Sequence, residues 1–145
     1  MTDHFTAKHL DRSQYKYWHK DQVRFNDLDA LGHVGSIRVN EYFAGVRTKL
    51  FKETIPDWPD SDVFPVLKLS IVQYEAEINY PADLDVGLLI EKFGNTSLAV
   101  VMAVFDSAKC LALCKNVFVF IDDKTRLATA PSETTKNKMH KVTFG

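Results

Sequence analysis

The chain has 145 residues, of which 46% are hydrophobic and 26% charged, a composition that fits one globular domain. The net charge of -1 excludes the strongly basic surface of proteins whose main partner is nucleic acid or an anionic membrane. No apolar run approaches the roughly 18 residues of a bilayer span, and the first ten residues contain no apolar signal-peptide core. We therefore expect a cytoplasmic protein with no nucleic-acid partner and no membrane partner.

The N-terminal part of the chain predicts an arm, a strand and a turn, in that order. Residues 1–14 are polar and have no periodicity, so we interpret them as a loose arm. From Tyr15 to Phe25, aromatic and β-branched residues alternate loosely with polar ones, which favours a first strand. Residues 26–33 are dense in turn-forming types and are predicted to end that strand.

The next segment has the periodicity of a helix. Apolar residues recur at steps of four, three and four, which places them on one helix face. These residues are Val39, Phe43, Val46 and Leu50. Ser36 lies just before them and is a suitable N-cap. The pattern predicts one helix over residues 36–54, ended by the proline-rich turn at residues 56–59.

After that turn the chain is predicted to form strands. One long strand is expected over residues 65–80, and it should contain a bulge because its apolar positions change from odd to even numbers after residue 71. Three further strands, at residues 86–93, 98–105 and 111–121, are separated by short turns that favour hairpins. We expect these four long strands to form an antiparallel meander.

Two strands have an unusual apolar pattern. Residues 98–105 and 117–121 are apolar on both faces. In a sheet with one solvated face, apolar and polar residues instead alternate along each strand. Because a single helix covers only one face, the pattern predicts self-association. The fold class that follows is α+β, with a curved antiparallel sheet of about five strands packed on one long helix.

The ends of the chain complete the predicted organisation. Residues 123–145 are polar, and we interpret them as a mobile tail. The folded domain is therefore predicted to span residues 15–122.

The two cysteines, Cys110 and Cys114, have a spacing that matches neither a thioredoxin-like motif nor a zinc site. On one strand they would share a face about 13 Å apart, so we expect reduced core thiols and no metal site.

The polar junction between the first strand and the helix has the residues best suited to catalysis. Asp27, Asp29 and His33 precede a helix N-terminus, where unpaired backbone N–H groups can bind an oxyanion. If these amides polarise a carbonyl, a nearby carboxylate is placed to attack its carbon or to activate a water. The alternative from spacing alone is that the aspartates cap turns and His33 is an ordinary surface residue.

A resemblance to a known family begins in this junction. Residues 23–35 read V-R-F-N-D-L-D-A-L-G-H-V-G and are followed by N-E-Y-F at residues 40–43. This pattern resembles the 4-hydroxybenzoyl-CoA thioesterase branch of the hotdog-fold superfamily, and the likeness extends to the Tyr80-Pro81-Ala82 turn. The resemblance implies a hotdog fold over about residues 15–122. It also implies hydrolysis of an acyl-CoA or acyl-carrier-protein thioester, with no cofactor besides the coenzyme A of the substrate.

By position, the resemblance assigns roles to the residues of the junction. Asp29 matches the nucleophile or general base, and His33 matches a residue that shapes the pocket or assists. The backbone amides of Gly35, Ser36 and Ile37 match those that polarise the thioester carbonyl. Gly35 departs from the asparagine of many relatives, which removes a side-chain amide but keeps an N–H.

The resemblance further implies a homodimer or homotetramer, in which each site combines the helix of one subunit with the long strand of its neighbour. The expected substrate-binding residues are Ile37, Tyr42, Phe43, Ser70 and Gln73, with Glu75 and Glu77 as further polar residues of the long strand. Two alternatives stay open. A hotdog dehydratase would depend on His33, and a non-catalytic acyl-CoA-binding module would be compatible with Gly35.

Overall fold

The computed structural model describes residues 4–144. Within them, five strands form one antiparallel sheet in the order β1-β3-β4-β5-β2. The strands are β1 (Tyr17–Gln22), β2 (Val63–Tyr74), β3 (Asp83–Phe93), β4 (Ser97–Asp106) and β5 (Lys109–Asp122), and the helices are α1 (Ser36–Thr54) and α2 (Glu133–Phe144). The predicted α+β class, the strand number and the helix over residues 36–54 are confirmed.

The position of β2 differs from the predicted four-strand meander. Hairpins join β3, β4 and β5 as expected, but β2 pairs with β5, whereas β3 pairs with β1. Residues 75–82 therefore cross from one side of the sheet to the other. The amides of Glu75 and Ala76 both donate to the Leu111 carbonyl as the chain leaves the ladder. The predicted long strand ends at Tyr74 for this reason.

The predicted bulge in the long strand is present at a different place. The register of β2 against β5 shifts between Leu67 and Leu69, so Lys68 is the extra residue, rather than a residue near 71. A bulge sends successive side chains to the same face instead of opposite faces. After it, Ser70, Val72 and Tyr74 lie on one face of the strand, because the register from Leu69 to Tyr74 is regular.

A second bulge separates the two cysteines. Val104 pairs with Ala112 and Phe105 with Cys110, which leaves Leu111 as the extra residue. Cys110 and Cys114 consequently belong to buried clusters on opposite faces of the sheet, so the predicted shared face is wrong. Both are free and buried, and burial raises the pKa of the Cys110 thiol to about 12.

Helix α1 packs on one face of the sheet, over β1, β3 and β4. Its buried side chains are Val39, Tyr42, Phe43, Val46, Leu50, Phe51 and Thr54. The N-cap is Gly35 rather than the predicted Ser36, and no side chain caps this end. Because α1 lies away from β2, the helix-facing side of β2 stays largely exposed. No helix within residues 4–144 has the length and hydropathy to cross a membrane.

The N-terminal segment covers the other face of the sheet. A second buried cluster lies there and consists of Phe5, Tyr15, Val101, Ala103, Phe105, Cys110 and Leu113. Arg12 pairs with Asp85 at 2.8 Å and stacks on the Trp18 ring. The expectation of a loose arm is therefore wrong from residue 4 onward. Because this segment covers apolar positions of β4 and β5, their two-faced pattern does not by itself require a second copy of the chain.

Residues 133–144 form α2 instead of a mobile tail. The Ser132 hydroxyl oxygen accepts a hydrogen bond from the Thr135 amide at 3.2 Å, as an N-cap does. Met139 is fully buried in the cluster that includes the α1 core, and Val142 packs against it. The sequence did not indicate this helix, because only a few side chains of α2 face the core and the segment is polar on average.

Candidate active site

The loop between β1 and α1 folds back on itself before the helix begins. A bridge between Leu28 and Val34 closes the loop. The Asp29 amide donates to the His33 carbonyl at 2.8 Å. At the tip, Gly32 has a φ of +80°, which glycine adopts without steric cost. The turn therefore holds Asp29 and His33 side by side.

The Asp29 side chain lies beside the start of α1. Its Oδ1 accepts hydrogen bonds from the amides of Leu31 at 2.9 Å and His33 at 3.4 Å. A Cβ built on Gly35 would lie 3.9 Å from Asp29 Oδ2, and this second oxygen receives no hydrogen bond within residues 4–144. The residue is exposed. One carboxylate oxygen is thus held by the loop, while the other is accessible next to the helix N-terminus.

Two backbone amides at this N-terminus are available to a ligand. Within residues 4–144, no acceptor binds the N–H of Ser36 or Ile37, as is usual in the first turn of a helix. Both residues are exposed. The Gly35 N–H, in contrast, donates to the Asp27 carbonyl at 3.2 Å. Of the three predicted oxyanion donors, Ser36 and Ile37 are open in the structure and Gly35 is engaged.

His33 contacts a carboxylate from the segment that follows β2. Its Nε2 lies 3.2 Å from Glu77 Oε2, with the two side chains 34% and 65% exposed. The pair is accessible to solvent. Glu77 was expected to belong to the long strand, but it reaches His33 from the crossing segment of the same chain.

Asp29 and His33 line one cleft of about 310 Å³. It lies between the start of α1 and the end of β2, and its lining residues are Asp29, His33, Val34, Val39, Tyr74, Glu75, Ala76, Glu77 and Ile78. A larger cleft of about 660 Å³ is lined by residues 22–25, 80–83 and Asp106, and it includes none of the predicted site residues. The smaller cleft is the candidate active site, because it joins a carboxylate with a free oxygen to an imidazole, and Val39 of the first turn of α1 lines it as well.

Asp27 differs from Asp29 in its surroundings. It is 6% exposed, and its Oδ2 accepts hydrogen bonds from the Tyr42 hydroxyl at 2.7 Å and the Arg24 amide at 2.9 Å. Burial alone would raise the pKa of Asp27, but these hydrogen bonds hold it below its ordinary value. Burial and the same contact raise the pKa of Tyr42. Asp27 therefore connects the loop to α1 through its hydrogen bond with Tyr42, whereas Oδ2 of Asp29 has no hydrogen-bond partner within residues 4–144.

The geometry of this loop agrees with a match to a protein family. The sequence profile of the thioesterase-like superfamily matches residues 23–139. The chain belongs to this superfamily. The match starts at the loop of the candidate site and extends into α2, and it confirms the resemblance to hotdog-fold thioesterases. No curated protein matches the sequence significantly.

Solved structures share the fold of this thioesterase-like protein. The PA5185 protein from Pseudomonas aeruginosa has a TM-score of 0.84 and 21% identity, covering 91% of this chain and 94% of its own. A thioesterase from Thermus thermophilus, solved with coenzyme A and Zn, has a TM-score of 0.79 and 23% identity, covering 89% and 95%. The SAV2348 protein from Staphylococcus aureus, solved with CoA, has a TM-score of 0.80 and 14% identity, covering 87% and 82%. These similarities show the hotdog fold.

The predicted substrate-binding residues of the thioesterase-like protein lie in three different surroundings. Tyr42 and Phe43 are 2% and 0% exposed in the core beneath α1, and Ile37 is 77% exposed at the helix start. Ser70 and Gln73 lie on the edge strand β2. The single chain does not bring these five together, and their role in binding stays a prediction.

Sequence reasoning named Glu77 of this thioesterase-like protein but not its contact with His33, and it missed Asn116. The contact of Glu77 with His33 depends on the path of the crossing segment, for which no local pattern exists. Asn116 is 0% exposed, and the available signal was an amide side chain inside the apolar strand β5. Within the part of the chain that the structure describes, no group of three or more His, Cys, Asp or Glu is arranged to hold a metal ion.

Proposed function

We propose that this protein hydrolyses acyl-CoA thioesters, with acyl-carrier-protein thioesters as the related substrate class. The proposal depends on one observation. The free Oδ2 of Asp29 lies next to Gly35, the residue before the open amides of Ser36 and Ile37. A thioester carbonyl bound by these amides would present its carbon to Asp29. Two proteins of the same fold were solved with coenzyme A, which supports a CoA thioester.

Asp29 acts on the carbonyl carbon in one of two ways. As a nucleophile, it adds to the carbon, the C–S bond breaks and a mixed anhydride forms, which water then hydrolyses. As a general base, it takes a proton from a water molecule that adds to the same carbon. In both routes the negative charge on the carbonyl oxygen is stabilised by the amides of Ser36 and Ile37 at the positive end of α1. The products are a carboxylic acid and a thiol.

In this scheme His33 supplies the proton that the leaving thiolate takes up. Its ring lines the same cleft as Asp29, and Glu77 holds the ring through its contact with Nε2. A carboxylate partner of this kind sets the orientation of an imidazole. Glu77 is thus a positioning residue in this scheme.

We also propose that two copies of the chain pair along β2. The outer side of this edge strand is unpaired within residues 4–144, and it exposes Val66, Leu67, Leu69 and Tyr74 by 40% to 51%. An exposed apolar edge is a template for another strand. Because Tyr74 lines the Asp29 cleft, pairing at this edge would bring the second copy's β2 close to the site. Light scattering should then give twice the mass of one chain.

The first experiment is thiol release from a panel of short, long and aromatic acyl-CoAs. Asp29→Asn should lower kcat/KM by at least about a hundredfold, which corresponds to about 2.7 kcal/mol of transition-state stabilisation. Asp60→Asn, an exposed loop aspartate, is the matched control and should behave as the wild type. If the wild type releases no thiol from any substrate of the panel, hydrolysis is the wrong reaction.

A hotdog dehydratase is the second candidate, favoured by the contact between His33 and Glu77. Such an enzyme moves a proton and a hydroxyl group and releases no thiol. Its activity on a 3-hydroxyacyl-CoA would depend on His33, so His33→Gln would abolish it. For a hydrolase, the same substitution should lower the rate and leave thiol release measurable.

A further inference from the structure

Arg47 extends from the middle of α1 toward β5 and meets no acidic group there. Its Nη1 donates to Asn116 Oδ1 at 3.0 Å, and its guanidinium lies 6.0 Å from the centre of the Phe118 ring. No carboxylate within residues 4–144 forms an ion pair with it. Burial lowers the pKa of Arg47. A partly buried cation without a counter-charge is unfavourable for stability.

Asn116 fixes the direction of this cation. The residue is fully buried, and its Nδ2 donates to Ser70 Oγ at 2.9 Å and to Cys114 Sγ at 3.3 Å. These contacts turn Oδ1 toward Arg47. The neighbours of the guanidinium are therefore neutral groups that orient it, and its remaining N–H donors have no acceptor within residues 4–144.

Arg47 lies farther along α1 than the candidate active site, on the side of the sheet where β2 is largely exposed. Ser70 is exposed on β2, four residues or about 13 Å from Tyr74, which lines the Asp29 cleft. Arg47 is eleven residues beyond Ser36, or about 16 Å along α1. A helical side chain leans back toward the N-terminus, which shortens this distance. At 3.6 residues per turn, eleven residues are about three turns, so Ser36 and Arg47 lie on the same side of α1.

We propose that Arg47, oriented by Asn116, binds a carboxylate at the far end of the acyl chain. The inference rests on the proposed hydrolase function and names its substrate class, a medium-length acyl thioester with a terminal carboxyl group. A guanidinium matches a carboxylate with two parallel N–H donors. With the thioester carbonyl at Ser36 and Ile37, such a chain would extend along α1 toward Arg47. The bound anion supplies the counter-charge that is absent within residues 4–144.

The test compares suberyl-CoA, which ends in a carboxylate, with octanoyl-CoA, which has the same chain length. The wild type should prefer suberyl-CoA by at least about tenfold in kcat/KM. A hydrogen bond between charged groups contributes a selectivity of about this size. Arg47→Met should remove this preference and leave octanoyl-CoA within about threefold. Lys52→Met, which removes an exposed cation from the same helix, should keep the preference.

A second variant keeps the proposal testable if Arg47→Met does not fold. Asn116→Asp keeps Arg47 and places a carboxylate of nearly the same shape 3.0 Å from it. This internal counter-charge should compete with the substrate's carboxylate and lower kcat/KM for suberyl-CoA by a similar factor. A loss that is equal for both substrates in both variants would overturn the proposal, since it would indicate a structural role.

Three further outcomes separate this proposal from its alternatives. If the wild type hydrolyses both substrates equally, the anion site is wrong while the hydrolase function stands. If neither is hydrolysed, calorimetry with free suberate decides, and the site is supported when the wild type binds it and Arg47→Met does not. If Arg47→Met is monomeric where the wild type is dimeric and substrate preference is unchanged, a carboxylate of a second copy neutralises Arg47, and the proposal is overturned.

Discussion

Gly35 lies against Asp29 at the start of α1, and a Cβ built at position 35 would be 3.5 Å from the Cβ of Asp29. That distance is an ordinary van der Waals contact, so the space at this position admits a side chain. The glycine is therefore not required by packing. It leaves the free carboxylate oxygen of Asp29 without a neighbouring side-chain donor.

We predict that Gly35→Asn folds normally. Asparagine is at least as good an N-cap as glycine, so the free energy of unfolding should change by no more than about 0.5 kcal/mol. The new amide would be close enough to Asp29 to bind its carboxylate. Denaturant unfolding measures the stability, and thiol release measures the effect on rate. A destabilisation above about 2 kcal/mol would show that position 35 requires glycine.

Asp27→Asn should destabilise the protein by about 1–3 kcal/mol near neutral pH, because the Tyr42 hydroxyl and the Arg24 amide lose a buried charged acceptor. The pKa of Asp27 is lowered in the folded state from an ordinary value of 3.8. Its contribution to stability is therefore complete above that value and is lost as pH falls through the lower folded pKa.

The pH dependence of this contribution can be measured directly. The difference in melting temperature between wild type and Asp27→Asn should be constant from about pH 5 to pH 7 and should shrink below about pH 4. Asp60→Asn, which changes an exposed aspartate, should show no such difference. A gap that grows on acidification would contradict a lowered pKa.

Gly87→Ala should loosen the N-terminal segment from the sheet. A Cβ at position 87 would lie 2.9 Å from Tyr15 Cγ and 3.0 Å from Trp18 Cζ3, too close for packed rings. The expected loss is about 1–3 kcal/mol, with faster amide hydrogen exchange in residues 5–15. In a Tyr15→Ala background the substitution should be less destabilising. Equal effects in both backgrounds would mean that Tyr15 is not the cause.

Met139→Ala should destabilise the protein by about 2–5 kcal/mol, because the side chain is fully buried where α2 meets the core. Lys138→Ala, on an exposed position of the same helix, should change stability by less than about 0.5 kcal/mol. Equal effects of the two variants would indicate that α2 does not dock on the core. Chemical denaturation of both variants is the measurement.

The sequence alone was sufficient for features that depend on neighbouring residues. The apolar steps from Val39 to Leu50 predicted α1 with its bounds, and the turn types around Asp29 placed a polar loop before it. The hairpins between β3, β4 and β5 were also predictable. These features follow from backbone preferences and side-chain periodicity within about a dozen residues. Such local patterns can be recognised in the amino-acid sequence.

Only the tertiary structure decided which distant groups meet. It paired β2 with β5, brought Glu77 to His33, and placed the N-terminal segment and Met139 against the sheet. Each depends on a contact between groups far apart in the chain, whose gain in buried area offsets the entropy of closing a long loop. The same holds for Arg47 and Asn116, which are 69 residues apart.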